Sequence, residues 1–310
     1  MTYTIGNCLK ESFADLAQLY NAALQDQSVK VKTAALKALG MIMAFMSDEP
    51  EVQHFAGLIP LLLNSASECQ SRGDEEVLQL VNDVMYDLCH CNESSVTIHT
   101  GAIVQFCLQE LLDTNLELVT RDSAALVIST LSEFKPKLMA KKCDVPMLVD
   151  TFMNLIEISK ESAAGAFFDN NPNWREDGDE SDDEDDYDGP TQCGMAQGCL
   201  DMIACNLPQK HVFNTTMTKC VQRMQSQNPP TRKAGIASLG VVAEGCQEKL
   251  SDNLREIMPF VFQCAGDGDA QVRECACFTL GQLAEHCQPE ILDYAEQILP
   301  AVFKLLDDTT

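Results

Sequence analysis

Thr231-Arg232-Lys233-Ala234-Gly235, closing on Leu239-Gly240, returns one period later as Val272-Arg273-Glu274-Cys275-Ala276, closing on Leu280-Gly281. Val31-Lys32-Thr33-Ala34-Ala35, closing on Leu39-Gly40, carries the same pattern close to five such periods upstream of the first. Arg121 falls on the same grid, near two periods after Lys32. A second marker keeps step, because Met258-Pro259-Phe260 and Leu299-Pro300-Ala301 stand one period apart and Ile59-Pro60-Leu61 lies near five periods before the former. Self-similarity at a period of about 41 residues is the signature of a repeat architecture in which each unit buries its apolar face against its neighbours.

Apolar residues recurring every three and four positions make each unit a pair of amphipathic helices. The expected pairs are 9–24 with 29–46, 51–69 with 75–91, 96–113 with 117–134, 145–161 with 191–206, 210–225 with 230–246, and 250–265 with 269–287. A last helix over 289–306 has no partner. Two helices per period, a proline in the first and a basic residue opening the second, form the pattern of HEAT repeats. The proline removes a backbone donor and kinks the first helix. The basic residue can reach an acceptor on a neighbouring repeat, and small Ala or Gly positions let helices approach closely. The fold class is therefore all-α, a right-handed HEAT solenoid of about six and a half hairpins covering 1–310 as a single domain. First helices line its convex face and second helices its concave one. The apolar Ile298, Leu299, Val302 and Phe303 call for a following helix, so the chain reads as a piece of a longer array.

An acidic run at 169–189 interrupts the fourth hairpin between its two helices. It holds eleven carboxylates against Arg175 alone, out of a net charge of −26, together with the single tryptophan, Trp174. Such a segment cannot bury enough apolar surface to order itself, so it is expected to be a solvated loop. The net charge argues against direct contact with DNA or RNA. No apolar run reaches the ~18 residues that span a bilayer, and no secretory leader opens the chain. No membrane role is expected.

Fifteen cysteines are scattered at helical core positions and lack the CxxC…CxxC spacing of a zinc frame. They read as reduced thiols packed as small hydrophobes. Cys89-His90-Cys91 and His286-Cys287 cannot converge on one ion from adjacent helical positions. The histidines lack partners at catalytic spacing, and no phosphate-binding or calcium loop is present. The chain is expected to be no enzyme and to need no metal or cofactor.

Arg232-Lys233-Ala234-Gly235 with Gly240, Ala243-Glu244-Gly245-Cys246, and Val272-Arg273 with Gly281-Gln282-Leu283-Ala284-Glu285 resemble the central repeats of the importin-beta (karyopherin-beta) family. Cys199-Leu200-Asp201 with Ala204 and Leu207 is similar to the segment that follows an acidic inter-helix loop in the importin 4 and importin 5 types. The order of loop and helices is kept over 174–306, whereas 1–160 resembles the family only as HEAT repeats. The family's N-terminal repeats, with its main Ran-GTP site, and its C-terminal arch lie outside this stretch. The resemblance implies a monomeric nuclear import receptor shuttling between cytoplasm and nucleus. Its implied partners are basic cargo such as histones or ribosomal proteins, Ran-GTP, which releases that cargo, and FG-repeat nucleoporins.

Within that frame the candidate contacts are electrostatic. Trp174, Asp177, Asp179, Glu180, Asp182, Asp183, Glu184, Asp185, Asp186 and Asp188 form a loop suited to cargo or Ran. Glu133, Glu244 and Glu285 each follow a basic anchor by twelve residues, about 120° around a helix from it, as an acidic row on the concave rim. Phe260, Phe262, Ile298 and Phe303 could line outer pockets for FG repeats. Other readings remain at this point: a HEAT scaffold such as a phosphatase regulatory subunit or chromosome-complex arm, and an acidic histone chaperone.

Overall fold

The computed structural model describes residues 12–46, 50–90, 94–170 and 191–306. The chain divides into two compact units, Met1–Cys143 and Asp144–Thr310. Among the described residues every regular element is helical, and no helix is long and apolar enough to cross a membrane.

In the first unit α1 (Phe13–Leu24) pairs with α2 (Val29–Met46), α3 (Ile59–Arg72) with α4 (Glu75–His90), and α5 (Ser94–Leu112) with α6 (Leu118–Phe134). A short α7 (Pro136–Lys142) follows. Second helices stack on second helices, α2 on α4 and α4 on α6, so their apolar stripes merge into one core. Leu36, Leu39, Leu78, Val84 and Leu88 are fully buried there. Residues 50–58 form a 3-10 helix rather than the start of a longer α-helix, and Pro60 consequently sits in the first turn of α3 rather than inside it. Phe55 closes the layer against Phe13, with ring centroids 5.4 Å apart. Gly73, at φ 69°, ends α3 in the left-handed conformation that a glycine adopts without penalty.

The second unit contains α8 (Val145–Ile158), α9 (Ala163–Asn170), α10 (Gln192–Asn206), α11 (Gln209–Met224), α12 (Pro229–Val241), α13 (Gln247–Ala265) and α14 (Ala270–His286), then a 3-10 turn at Glu290–Tyr294 and α15 (Ala295–Leu306). Pairing runs α8 with α10, α11 with α12 and α13 with α14. Side-chain caps mark the starts: Asp144 accepts from the Met147 N–H, Thr191 from Gly194, and Asp269 from Gln271 and Val272. Each satisfies backbone donors that the first turn leaves open. Pro259 lies inside α13 and Pro300 inside α15, where interior prolines were expected. Gly240 is required by contact, since a Cβ there would lie 2.7 Å from the Phe278 ring.

The basic anchors also act, though not all alike. Arg232 grips Asp267 of the next hairpin with two hydrogen bonds, Nε to Oδ2 at 2.7 Å and Nη2 to Oδ1 at 2.8 Å. Lys32 reaches Glu68 of its next hairpin at 3.0 Å. Arg121 and Arg273 instead bond backbone oxygens of their own hairpins, Leu111 and Asp267. Each unit is thus a stack of antiparallel helix pairs, and the fold class is the all-α HEAT-repeat solenoid.

Further boundaries differ from expectation, and the last helix begins at Ala295, after a 3-10 turn, rather than at Pro289. The first helix of the fourth hairpin stops at Ile158 rather than near Glu161, and α12 stops at Val241 rather than Cys246. Residues 163–170 form a helix, so the first two positions of the expected loop, Asp169 and Asn170, are helical. Ten of the thirteen described cysteines are buried and all thirteen are free, as packed thiols should be.

Candidate functional site

Asp201 and Cys205 stand one turn apart on α10, and the Cys205 thiol donates to Asp201 Oδ1 at 3.5 Å. Glu244 arrives from the turn that follows α12. That turn is pressed onto α10 so closely that a Cβ on Gly245 would lie 2.2 Å from the carbonyl carbon of Ala204. The carboxylate oxygens of Asp201 and Glu244 and the Cys205 sulfur consequently lie within 4.8 Å of one another.

No basic side chain is bonded to this group among the described residues. Burial raises the Asp201 carboxyl to about 6, the Cys205 thiol lowers it somewhat, and Glu244 raises it again. The Cys205 thiol is itself pushed up, first by burial and then by the two carboxylates. Two acids crowded this way favour a cation between them. A soft metal is a poor fit, because it would need a thiolate where the surroundings hold the thiol protonated. An ammonium or guanidinium group is a good fit, since it needs only oxygen acceptors.

Glu285 sits in the last turn of α14, exposed, and lines a different hollow of about 440 Å³ with Glu274, Phe278 and Gln282. Its rim is α9, held by Phe167 against Phe278 at 4.9 Å and by a 2.6 Å hydrogen bond from Ser162 to Glu274. Glu161, just before α9, accepts from the Cys193 N–H and so places negative charge at the start of α10. Glu133 is exposed in the last turn of α6 and belongs to the first unit.

Of the three acids of the expected row, the structure gathers Glu244 with Asp201, a residue outside that row. Asp201 precedes Glu244 by close to one repeat, and this spacing is the signal that could have found it. Trp174, Asp177, Asp179, Glu180, Asp182, Asp183, Glu184, Asp185, Asp186 and Asp188 lie outside the described residues.

A groove of about 570 Å³ runs between α11 and α13, lined by Phe213, Met217, Val221, Ile257 and Phe260. It includes Phe260 from the expected outer set. Phe262 and Ile298 are partly exposed, and Phe303 is exposed on α15.

Residues 1–106 match a family model described as IPO5-like, TPR repeats, and residues 229–283 match one described as HEAT-like repeat. Importin subunit beta-3 of Saccharomyces cerevisiae is 24% identical over 263 residues, which cover 84% of this chain and 23% of that protein. Importin-4 of Mus musculus is 24% identical over 270 residues, covering 85% of this chain and 24% of that one. Over most of its length the chain is similar to members of the importin-beta family. Its fold matches the crystal structure of a Kap121p mutant with a TM-score of 0.77 at 22% identity, over 94% of this chain and 28% of that one. The chain spans about a quarter of the length of these relatives.

Proposed function

We propose that this chain is a cargo-contacting stretch of a nuclear import receptor, its two units being consecutive parts of one array. It captures Lys- and Arg-rich segments, such as those of histones and ribosomal proteins, by binding without chemistry. The observation that carries this reading is the Asp201–Glu244 cluster: a partly buried acid and an exposed one held together, without a described basic partner. A lysine inserted there gains two charge-assisted hydrogen bonds in a setting already stripped of part of its water.

Repeat spacing extends the cluster into a row. Asp201, Glu244 and Glu285 follow one another at intervals of close to one repeat. The matching Kap121p mutant carries three acid-to-lysine substitutions that are likewise close to one repeat apart. Basic side chains at a matching interval along an extended cargo segment would meet these carboxylates in turn. The acidic run, with Trp174 and its carboxylates, and Glu133 add long-range attraction that raises the encounter rate and fades with salt. Kap121p has been crystallised with RanGTP and with Nup53p. In this reading the whole receptor takes Ran-GTP as its release signal, meets nucleoporins through grooves such as that between α11 and α13, and shuttles between cytoplasm and nucleus.

The test is the triple variant Asp201→Lys, Glu244→Lys, Glu285→Lys, titrated against a fluorescent lysine-rich peptide over a range of salt. A loss of at least about tenfold, or about 1.4 kcal/mol, is expected, with a shallower salt slope. Unchanged affinity at low salt would sink the reading. For the full-length receptor, Ran-GTP should release the same peptide.

A further inference from the structure

A second groove lies in the first unit, on the side formed by α2, α4 and α6, with a volume of about 710 Å³. Helical spacing builds its walls. Lys37 and Met41 are one turn apart on α2, Asp83 and Tyr86 lie three apart on α4, and Leu126 faces in from α6. Met41 is 56% exposed and Leu126 51%, so two large apolar side chains stand open in the walls. The floor is rigid: Asn82 donates to Ser123 at 3.0 Å and to the buried Glu110 at 2.7 Å, tying α4 to both α5 and α6.

Charge decides what fits. Asp83 makes no described hydrogen bond or ion pair, and loss of water in the groove pushes its carboxyl above the ordinary range. Lys37, the one base in the walls, is held by Glu76 at 2.8 Å and does not neutralise it. An occupant must therefore bring both a cation and apolar surface. Neighbouring packed helices are about 8–10 Å apart, so crossing three takes about 20 Å, or roughly six extended residues at about 3.3 Å each.

We propose that this groove binds an extended segment of a partner protein, about six residues long, in which a Lys or Arg faces Asp83 while flanking aliphatic or aromatic side chains rest on Met41 and Leu126. The site is separate from the Asp201–Glu244 cluster and belongs to the other unit. It rests on the reading of the chain as part of a receptor that captures Lys- and Arg-containing segments of other proteins. The difference in chemistry is plain: the cluster takes charge alone, whereas this groove takes charge and apolar surface together.

The probe is a fluorescent peptide, Gly-Leu-Lys-Leu-Phe-Lys-Leu-Gly, with a counterpart in which both lysines are glutamate. Binding is followed by anisotropy with the 310-residue chain and with Asp83→Lys, Leu126→Glu and the pair Asp201→Lys, Glu244→Lys. The altered groove residues line an open surface, and circular dichroism checks that each variant folds. Expected is a loss of at least about tenfold in Asp83→Lys and in Leu126→Glu, with little change in the Asp201/Glu244 pair and no binding of the glutamate peptide. Affinity unchanged in both groove variants overturns the proposal. If the Asp201/Glu244 pair alone loses this peptide, the groove is dismissed while the cargo reading stands. If only the groove variants lose it, and lysine-rich peptides ignore the triple variant, the groove stands and the cargo reading falls. No binding to any form overturns the groove.

Discussion

Gln79 and Thr120 are 41 residues apart and joined by a 2.7 Å hydrogen bond from Nε2 to Oγ1. Asn82 and Ser123 repeat the relation at the same separation, at 3.0 Å. Since that separation is the repeat period, each bond links equivalent positions of successive second helices. Thr120 passes the chain on, donating to Glu75 at 2.6 Å, and Glu75 also accepts from the Glu117 N–H. The period visible in the sequence is thus also the ladder that fixes one repeat on the next.

A double-mutant cycle on Gln79→Ala and Thr120→Val should return a coupling of about 0.5–1.5 kcal/mol in urea unfolding. Additive losses would mean that the bond carries no stability of its own.

Legibility followed the range of the forces. Apolar spacing marks Val29–Met46 to the residue, because the core contacts of α2 come from its own stripe. The eight-residue α9 carries only a short stripe of small residues, Ala163, Ala164 and Ala166 with Phe167, and it is fixed by Phe167 meeting Phe278 far along the chain. The matching Leu-Gly endings are equally uneven guides: Gly240 permits a close helix contact, while Gly281 faces open space. Glu244 stands out in the sequence and Asp201 stands close to one repeat before it, yet their contact arises only because α12 ends early and its turn folds back on α10.

Glu110 is fully buried, with Oε2 held by Asn82 and Oε1 without a partner, and burial raises its carboxyl to about 8. The folded chain therefore keeps a proton that the unfolded chain releases near pH 4.5. Stability from this group is full below that value and falls as pH rises through about 8. Glu110→Gln should flatten the pH dependence of Tm across that window and be more stable than the parent above it. A parallel pair of Tm profiles would refute this.

Arg232→Ala leaves Asp267 without its two-pronged partner in a largely covered setting. A cost of about 2 kcal/mol is expected, and Arg232→Lys should recover only part of it because an ammonium cannot make the planar double contact. Asp267 is held below the usual carboxylate range chiefly by that bond. Its contribution is present above about pH 4 and lost as pH falls through the lowered value. The penalty of Arg232→Ala, read from denaturation curves, should therefore shrink in acid.

Gly245→Ala places a methyl where α10 backbone already stands. The turn must lift, at about 1–3 kcal/mol, and Glu244 moves away from Asp201. Carboxyl NMR should then show the Asp201 pKa falling from about 6, alongside weaker binding of a lysine-rich peptide. Destabilisation with an unmoved Asp201 would separate the glycine from the site.

Cys205 is the one exposed cysteine among those described, and its sulfur lies within 4.8 Å of a carboxylate oxygen of each acid. Its sulfur therefore works as a native gauge of the charge beside it. Burial first, and then the two carboxylates, hold its proton on and keep it slow toward disulfide reagents. A bound ammonium offsets the carboxylates' share of that effect, so capture can be timed as a change in labelling rate on the unmodified chain.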